Sequence, residues 1–256
     1  AIVGSQNGCT GNRAYLDSTI NSGLNGIGQS FNGATSNVQG LSTAQMLVSS
    51  NYAGFNFTTT GGVTGNNWVI VSGDGSINGA AAGTRPMLAS EWSNTINSTH
   101  QLQLMAMNKT ASYTLGSSFS AATTAANGKD VWGTTGFIPV GTAGSAFTGS
   151  LDGTGHIISN LNIAKAGVDN VGLFGAIGSG GVVANVGLSG GSVAGGMNVG
   201  ALAGSNAGTI SGSFATSAVT STSAGGGLAG SNTGTVVDSY ASGAVTRSSG
   251  AGGLAG

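Results

Sequence analysis

Charge is what this sequence most lacks. Six Lys and Arg and seven Asp and Glu make up 5% of 256 residues and leave a net charge of -1, whereas an ordinary soluble domain is about a quarter charged. The basic residues Arg13, Arg85, Lys109, Lys129, Lys165 and Arg247 are scattered, so there is no electrostatic footprint for nucleic acid. Proline is almost absent, with only Pro86 and Pro139, and glycine does not recur every third residue, which excludes a collagen triple helix. Cys9 is the single cysteine, so no internal disulfide can form. With only His100 and His156 besides, the usual zinc site has too few ligands. Long apolar runs are missing too: the most apolar stretch, Gly172 to Leu188, is broken by Ser179, Asn185 and several glycines, short of the roughly 18 apolar residues of a membrane span.

What is there is glycine, 50 residues of it, beside 39% hydrophobic content. That much regularly spaced Leu, Ile and Val argues against disorder. The decisive pattern is a repeat. GALAGSNAGTISGSFATSAVT, from Gly200 to Thr220, aligns without gaps on GGLAGSNTGTVVDSYASGAVT, from Gly226 to Thr246, with 13 of 21 positions identical at a spacing of 26 residues. One further step places Leu254, Ala255 and Gly256 over Leu228, Ala229 and Gly230, and an earlier, looser copy begins at Val171 to Gly175. Substitutions between copies keep size and polarity, with Phe214 against Tyr240 and Ile210 against Val236.

Short β-branched bursts between Asn and Gly turns, repeated at this period, predict an all-β parallel β-solenoid with coils of about 26 residues, right-handed by default. Neighbouring coils then lie about 4.8 Å apart. Leu202, Leu228 and Leu254 are expected to form an inward ladder, Phe214 and Tyr240 an aromatic stack, and Asn206 and Asn232 an amide ladder at a corner. Gly204, Gly208, Gly230 and Gly234 are expected at corners that need positive φ or close backbone approach. The poverty of charge follows from the same geometry, since a repeated Asp or Lys would repel its own copy while Asn, Ser and Thr hydrogen-bond.

Four regions are expected along the chain. Residues 1–39 read as the end of a preceding repeat array, because AIVGSQNGCTGNRAY parallels GLAGSNTGTVVDSY with one extra residue. Residues 40–129 break the period and read as an irregular packing module, with a strand running into a turn at Val69 to Gly75. Within it, Ser90 to Asn108 is expected to hold a short helix whose Leu102, Leu104 and Met107 face the core. Residues 130–170 lead into the array, and 171–256 are repeat coils expected to continue beyond the chain end.

The strings GLAGSN and GALAGSN, FTGSLDGTGHIISNLNI at Phe147 to Ile163, DNVGLFG at Asp169 to Gly175, LSTAQM at Leu41 to Met46 and HQLQLMAMN at His100 to Asn108 carry a family likeness. The chain resembles the GLUG-repeat regions of filamentous haemagglutinin-like bacterial adhesins, the large exoproteins of two-partner secretion. It departs from them at Tyr15, Leu16 and Asp17, where the family often has a Phe-Trp-Asp string. The resemblance implies a secreted or outer-surface protein of a Gram-negative-type bacterium, acting in cell adhesion and biofilm.

Catalytic material is sparse. The acids Asp17, Asp74, Glu91, Asp130, Asp152, Asp169 and Asp238 are all more than ten residues apart, while a glycosidase needs two carboxyls within about 5–9.5 Å. Asp152 and His156 form the most catalytic-looking pair and are expected to make a turn. No enzyme activity, cofactor or metal is therefore expected. The expected function is that of an adhesin or adhesin stalk whose partners are host or bacterial surface glycans or proteins, with no single binding residue identifiable. The alternatives are a filament or matrix subunit stacking end to end with itself, and the non-catalytic stalk of an exported enzyme.

Overall fold

The computed structural model describes residues 6–7, 14–20, 22, 30–31, 38–125, 130–133, 136–247 and 251–256. Cys9, Lys129 and most of the stretch from Ala1 to Tyr15, which carries the expected N-terminal repeat, lie outside the described residues.

The repeats fold as a parallel β-solenoid. Each coil lays down short strands in turn, and each strand pairs in parallel with its equivalents in the coils before and after. Sheet 1 is six strands deep: Thr95–Ile96, Ser112–Leu115, Ser150–Asp152, Val182–Ala184, Thr209–Ser211 and Thr235–Val237. Sheet 2 stacks Phe119–Ser120, Ile157–Ser159, Gly187–Ser189, Phe214–Ala215 and Tyr240–Ala241. Sheet 3 holds Asn162–Ala164, Ser192–Ala194, Ala218–Ser221 and Val245–Arg247. Sheet 4 holds Val199–Gly200, Gly225–Gly226 and Ala251–Gly252, and sheet 5 holds Phe174–Ile177, Ala203–Asn206 and Ala229–Asn232.

Register shows how the sequence tolerates variation. In the last two coils the step is 26 residues in each sheet: Ile210 faces Val236, Phe214 faces Tyr240, Val219 faces Val245, Val199 faces Gly225, and Ala203 faces Ala229. One coil earlier Val183 faces Ile210, a step of 27, and the extra residue sits at the corner Gly190–Gly191, both in the left-handed region at φ 65° and 72°. Before that Leu151 faces Val183, a step of 32, with added residues at the corners around Thr154–Gly155, Gly167 and Gly178–Gly181. A residue added within a strand would turn every following side chain to the wrong face. At a corner it costs only a little loop entropy.

Alternation fills the interior. Leu151, Val183 and Ile210 stack along sheet 1, Ile163, Val193 and Val219 along sheet 3, and Leu173, Leu202 and Leu228 beside sheet 5, all essentially without solvent exposure. Each such side chain contributes about 1.5–3 kcal/mol on burial.

The solenoid begins inside the stretch expected to be irregular. Thr95–Ile96 already pairs in parallel with Thr114 and Leu115, a step of only 19 residues, and most of that step is the helix α1, Thr99–Leu104, followed by a 3-10 turn at Met105–Met107. The inserted helix hides the period, which explains why 130 is too late a start. Ser98 caps α1 by accepting from the Gln101 N–H at 3.3 Å. Leu102 and Met105 enter the solenoid core, while Leu104 and Ala106 pack with Val69, Val71, Met87 and Ile138 in a second cluster. Met107 is partly buried against that second cluster. The expected strand at Val69 spans Asn67–Val69, and Val71 then bridges to Ile77 across the turn. α1 is thus a wedge joining two cores. Gln103, fully buried within it, donates to Ile138 O at 2.9 Å and accepts from Trp132 Nε1 at 2.8 Å and Ile138 N at 3.0 Å.

Candidate functional site

The repeat positions form ladders. Leu202 and Leu228 are fully buried, Leu254 is partly buried against them, and the Leu202 and Leu228 N–H groups donate to the carbonyls of Leu228 and Leu254. Asn206, also fully buried, donates from Nδ2 to Asn232 Oδ1 at 2.7 Å and accepts from the Gly208 N–H at 3.1 Å; Asn232 Nδ2 in turn donates to Gly234 O at 3.2 Å. Phe214 and Tyr240 stack with ring centres 5.3 Å apart and planes 7° apart. The pair lies on the outer face of sheet 2, where Tyr240 is 57% exposed.

The four repeat glycines are needed for close approach and not for positive φ. Gly204 and Gly230 lie within strands of sheet 5 rather than at corners, and none of the four adopts a left-handed φ. A Cβ at Gly230 would overlap the backbone of Asn198 and Val199 in the preceding coil, because the strand spacing there leaves no room for a side chain. The left-handed corner lies elsewhere, between sheets 1 and 2, where Asn185, Gly212 and Asp238 stack at φ 54°, 55° and 50°. Asn, Gly and Asp are the residues that reach this region most readily, so the copies keep a conformation while changing the residue, and sequence identity does not reveal it.

Asp152 and His156 make a turn. The Asp152 carboxylate accepts from Thr154 N at 2.8 Å and Asn185 Nδ2 at 3.1 Å, which hold its pKa below the usual carboxylate value. Thr154 and Gly155 both have positive φ.

Two acids far apart in sequence do meet. His100, on α1, contacts Glu91 Oε2 at 2.7 Å through Nδ1 and Asp130 Oδ1 at 3.0 Å through Nε2. The Glu91 hydrogen bond, followed by that of Asp130, outweighs burial and raises the His100 pKa to about 9. Asp130 also accepts through its carbonyl from Arg85 Nη1 at 2.8 Å, and Arg85 Nη2 pairs with the buried Asp17 at 2.9 Å. Burial would raise the Asp17 pKa, but hydrogen bonds from Thr43, Arg85, Ile20 and Thr19 hold it low. This network fastens strand Ala14–Asp17, the 85–91 segment and α1 together. It positions the N-terminal module and needs no ligand. Among the described residues no group of three or more His, Cys, Asp or Glu side chains could hold a metal ion, and no helix is long and apolar enough to cross a membrane.

A cleft of about 320 Å³ opens where that module meets the solenoid corners. One wall is the turn Gly73–Gly75; the other is built from Ile138, Pro139, the corner 141–144 and the corner from Lys165 to Asn170. A Cβ on Gly75 would touch Thr142 Cγ2 at 3.0 Å, so the turn tip rests on the corner. Lys165 lines the cleft at 9% exposure, and burial lowers its pKa to about 8. Asp74 and Asp169 line it as well; Asp74 Oδ1 accepts from Ser76 Oγ at 2.6 Å and N at 3.0 Å, and Asp169 Oδ1 accepts from Met197 N at 2.7 Å. Val168, also lining it, and its neighbour Met197 are about half exposed. The sequence pairs none of these residues: Asp74 and Lys165 are brought together only by the docking of the module.

No family model and no solved structure matches the chain. Among curated proteins, halomucin of Haloquadratum walsbyi is 48% identical over 95 residues, which is 36% of this chain and 1% of the relative. The chain therefore spans a very small part of the length of the curated relative it matches.

Proposed function

We propose that the chain is a segment of a secreted or cell-surface rod, an adhesin or adhesin stalk of the GLUG-repeat type, that attaches its cell to glycans or proteins on other surfaces and catalyses no reaction. The observation that carries this reading is the stacking of five parallel sheets whose repeated positions are neutral and hydrogen-bonded. Such a stack is stiff, extends by adding coils, and offers the same outer face again and again. Weak contacts repeated along a rod gain strength through effective concentration. The likeness to part of halomucin, a very long chain whose name classes it with mucins, supports an extracellular setting. The GLUG resemblance supports the outer surface of a Gram-negative-type cell.

The test is attachment of the producing cell to other cells and to surfaces, with and without the gene, together with electron microscopy of its surface. Lost attachment with surface fibres otherwise unchanged is expected. Unchanged attachment would overturn adhesion, and vanished fibres with unchanged attachment would make the chain a filament subunit.

A further inference from the structure

We propose that the cleft between the turn Gly73–Gly75 and the corners at 141–144 and 165–170 binds an acidic sugar, its carboxylate at Lys165 and its hydroxyls at Asp74 and Asp169. This deepens the adhesive reading and rests on it, since it supplies one surface glycan class with a site.

The argument starts from where the chain spends its few charges. Six basic residues serve 256 positions, and one of them, Lys165, stands 9% exposed in the wall of a cleft. Placing an ammonium where burial pulls its pKa down to about 8 costs stability that a leucine or threonine would not. An anion in the cleft offsets that cost. The volume of about 320 Å³ lies at the lower end of the roughly 300–1,000 Å³ that holds small ligands, which fits a short saccharide better than a bare ion.

The rest of the lining sets the chemical class. Asp74 and Asp169 each fix one oxygen, Oδ1, on neighbouring N–H or O–H groups, which holds the carboxylates in place as acceptors for hydroxyl groups. Ile138, Pro139 and Val168 provide an apolar surface for the C–H face of a ring. A simple phosphate or sulfate would meet two carboxylates beside one ammonium and gain little, whereas a uronic acid presents a single carboxylate and several hydroxyls. The location suits such a ligand as well, because the cleft lies at the corners where the coils carry their inserted residues, away from the strands whose repetition forbids charge.

Titration calorimetry on the whole chain tests this with three probes: a glucuronate-containing disaccharide, the matching glucose disaccharide and sodium phosphate. The acidic disaccharide is expected to bind at least tenfold more tightly than either of the others. Lys165→Met is expected to weaken it at least tenfold, and Asp74→Asn with Asp169→Asn several-fold, with circular dichroism unchanged; the Asn variants keep the Oδ1 acceptors and so preserve the fold if the Lys165 variant does not. Equal binding of the neutral disaccharide or of phosphate, or no effect of the aspartate variants, would overturn the proposal. Failure here with attachment still dependent on the gene would remove this ligand and leave the rod's adhesion standing; binding here without gene-dependent attachment would do the reverse.

Discussion

Replacing Asn206 by Asp tests why the ladders are neutral. The wild-type amide is fully buried, accepts from the Gly208 N–H at 3.1 Å and donates to Asn232 Oδ1 at 2.7 Å. An aspartate keeps the first bond. In place of the second it sets an ionised oxygen against the Asn232 oxygen, leaving that acceptor without its donor at about 1–3 kcal/mol and burying a charge at a further few kcal/mol. The expected loss at neutral pH is about 4 kcal/mol. When protonated, the new carboxyl carries an O–H that restores the donor, and the loss falls to about 1 kcal/mol. At about 1.36 kcal/mol per unit, the difference corresponds to a folded-state pKa raised by about 2 from an unfolded value of about 3.9. A raised folded pKa means the ladder is intact below about pH 4 and is lost as pH rises through about 6. Urea midpoints of wild type and Asn206→Asp at pH 4 and pH 7.5 measure this, with Asn206→Leu as a control whose loss does not depend on pH. A gap of the same size at both pH values, or one under about 0.5 kcal/mol at pH 7.5, would refute the account.

Gly230→Ala should cost at least about 3 kcal/mol or abolish folding, because its Cβ would overlap the Asn198 and Val199 backbone, while Gly253→Ala, with nothing within 4 Å, should stay within about 0.5 kcal/mol of wild type in the same denaturation assay. Leu228→Ala should lose about 2–5 kcal/mol and the less buried Leu254→Ala clearly less, read as urea midpoints. For His100 the folded pKa is raised from 6.5 to about 9, so its contribution is full below about pH 6.5 and lost as pH rises through about 9; Glu91, whose pKa is lowered, contributes above 4.5 and loses its share as pH falls below that. The Tm difference between wild type and His100→Gln is therefore expected to be largest near pH 5–6.5 and to close by about pH 10, and a difference that persists there would contradict the charged cluster.

Sequence identity between copies encodes stacking, which is why the period, the leucine ladder at Leu202, Leu228 and Leu254, the amides Asn206 and Asn232 and the Phe214–Tyr240 stack are legible in the residues alone. The same signal misassigns Gly204 and Gly230. An invariant glycine announces that a Cβ is excluded without saying whether conformation or proximity excludes it, and here it is proximity. The left-handed corner escapes for the opposite reason: Asn185, Gly212 and Asp238 share a φ and no residue type. The start of the solenoid at Thr95 is masked by α1, which shortens the register step to 19. His100 with Glu91 and Asp130, and Lys165 with Asp74, are non-periodic meetings across the fold, and no spacing in the chain announces them.

The distribution of charge within the solenoid separates its structural surface from its chemical one. Between residues 150 and 247 the charged side chains are Asp152, Lys165, Asp169, Asp238 and Arg247. Asp152 and Arg247 are the last residues of their strands, and the other three lie outside strands. None stacks on a like charge: Asp152 pairs in register with Ala184 and accepts from Asn185, and Asp238 follows Gly212 at the same corner. A charge within a strand would meet its own copy about 4.8 Å away as the repeat propagates, whereas a corner of variable length carries a single charge with no copy to oppose it. Repetition thus drives ionisable groups to the corners, and the coils with the longest corners gather most of them. The coil with the 32-residue step contributes Lys165 and Asp169 to one cleft, so the same irregularity that interrupts the period is what gives this rod a place where its surface is chemically unlike the rest.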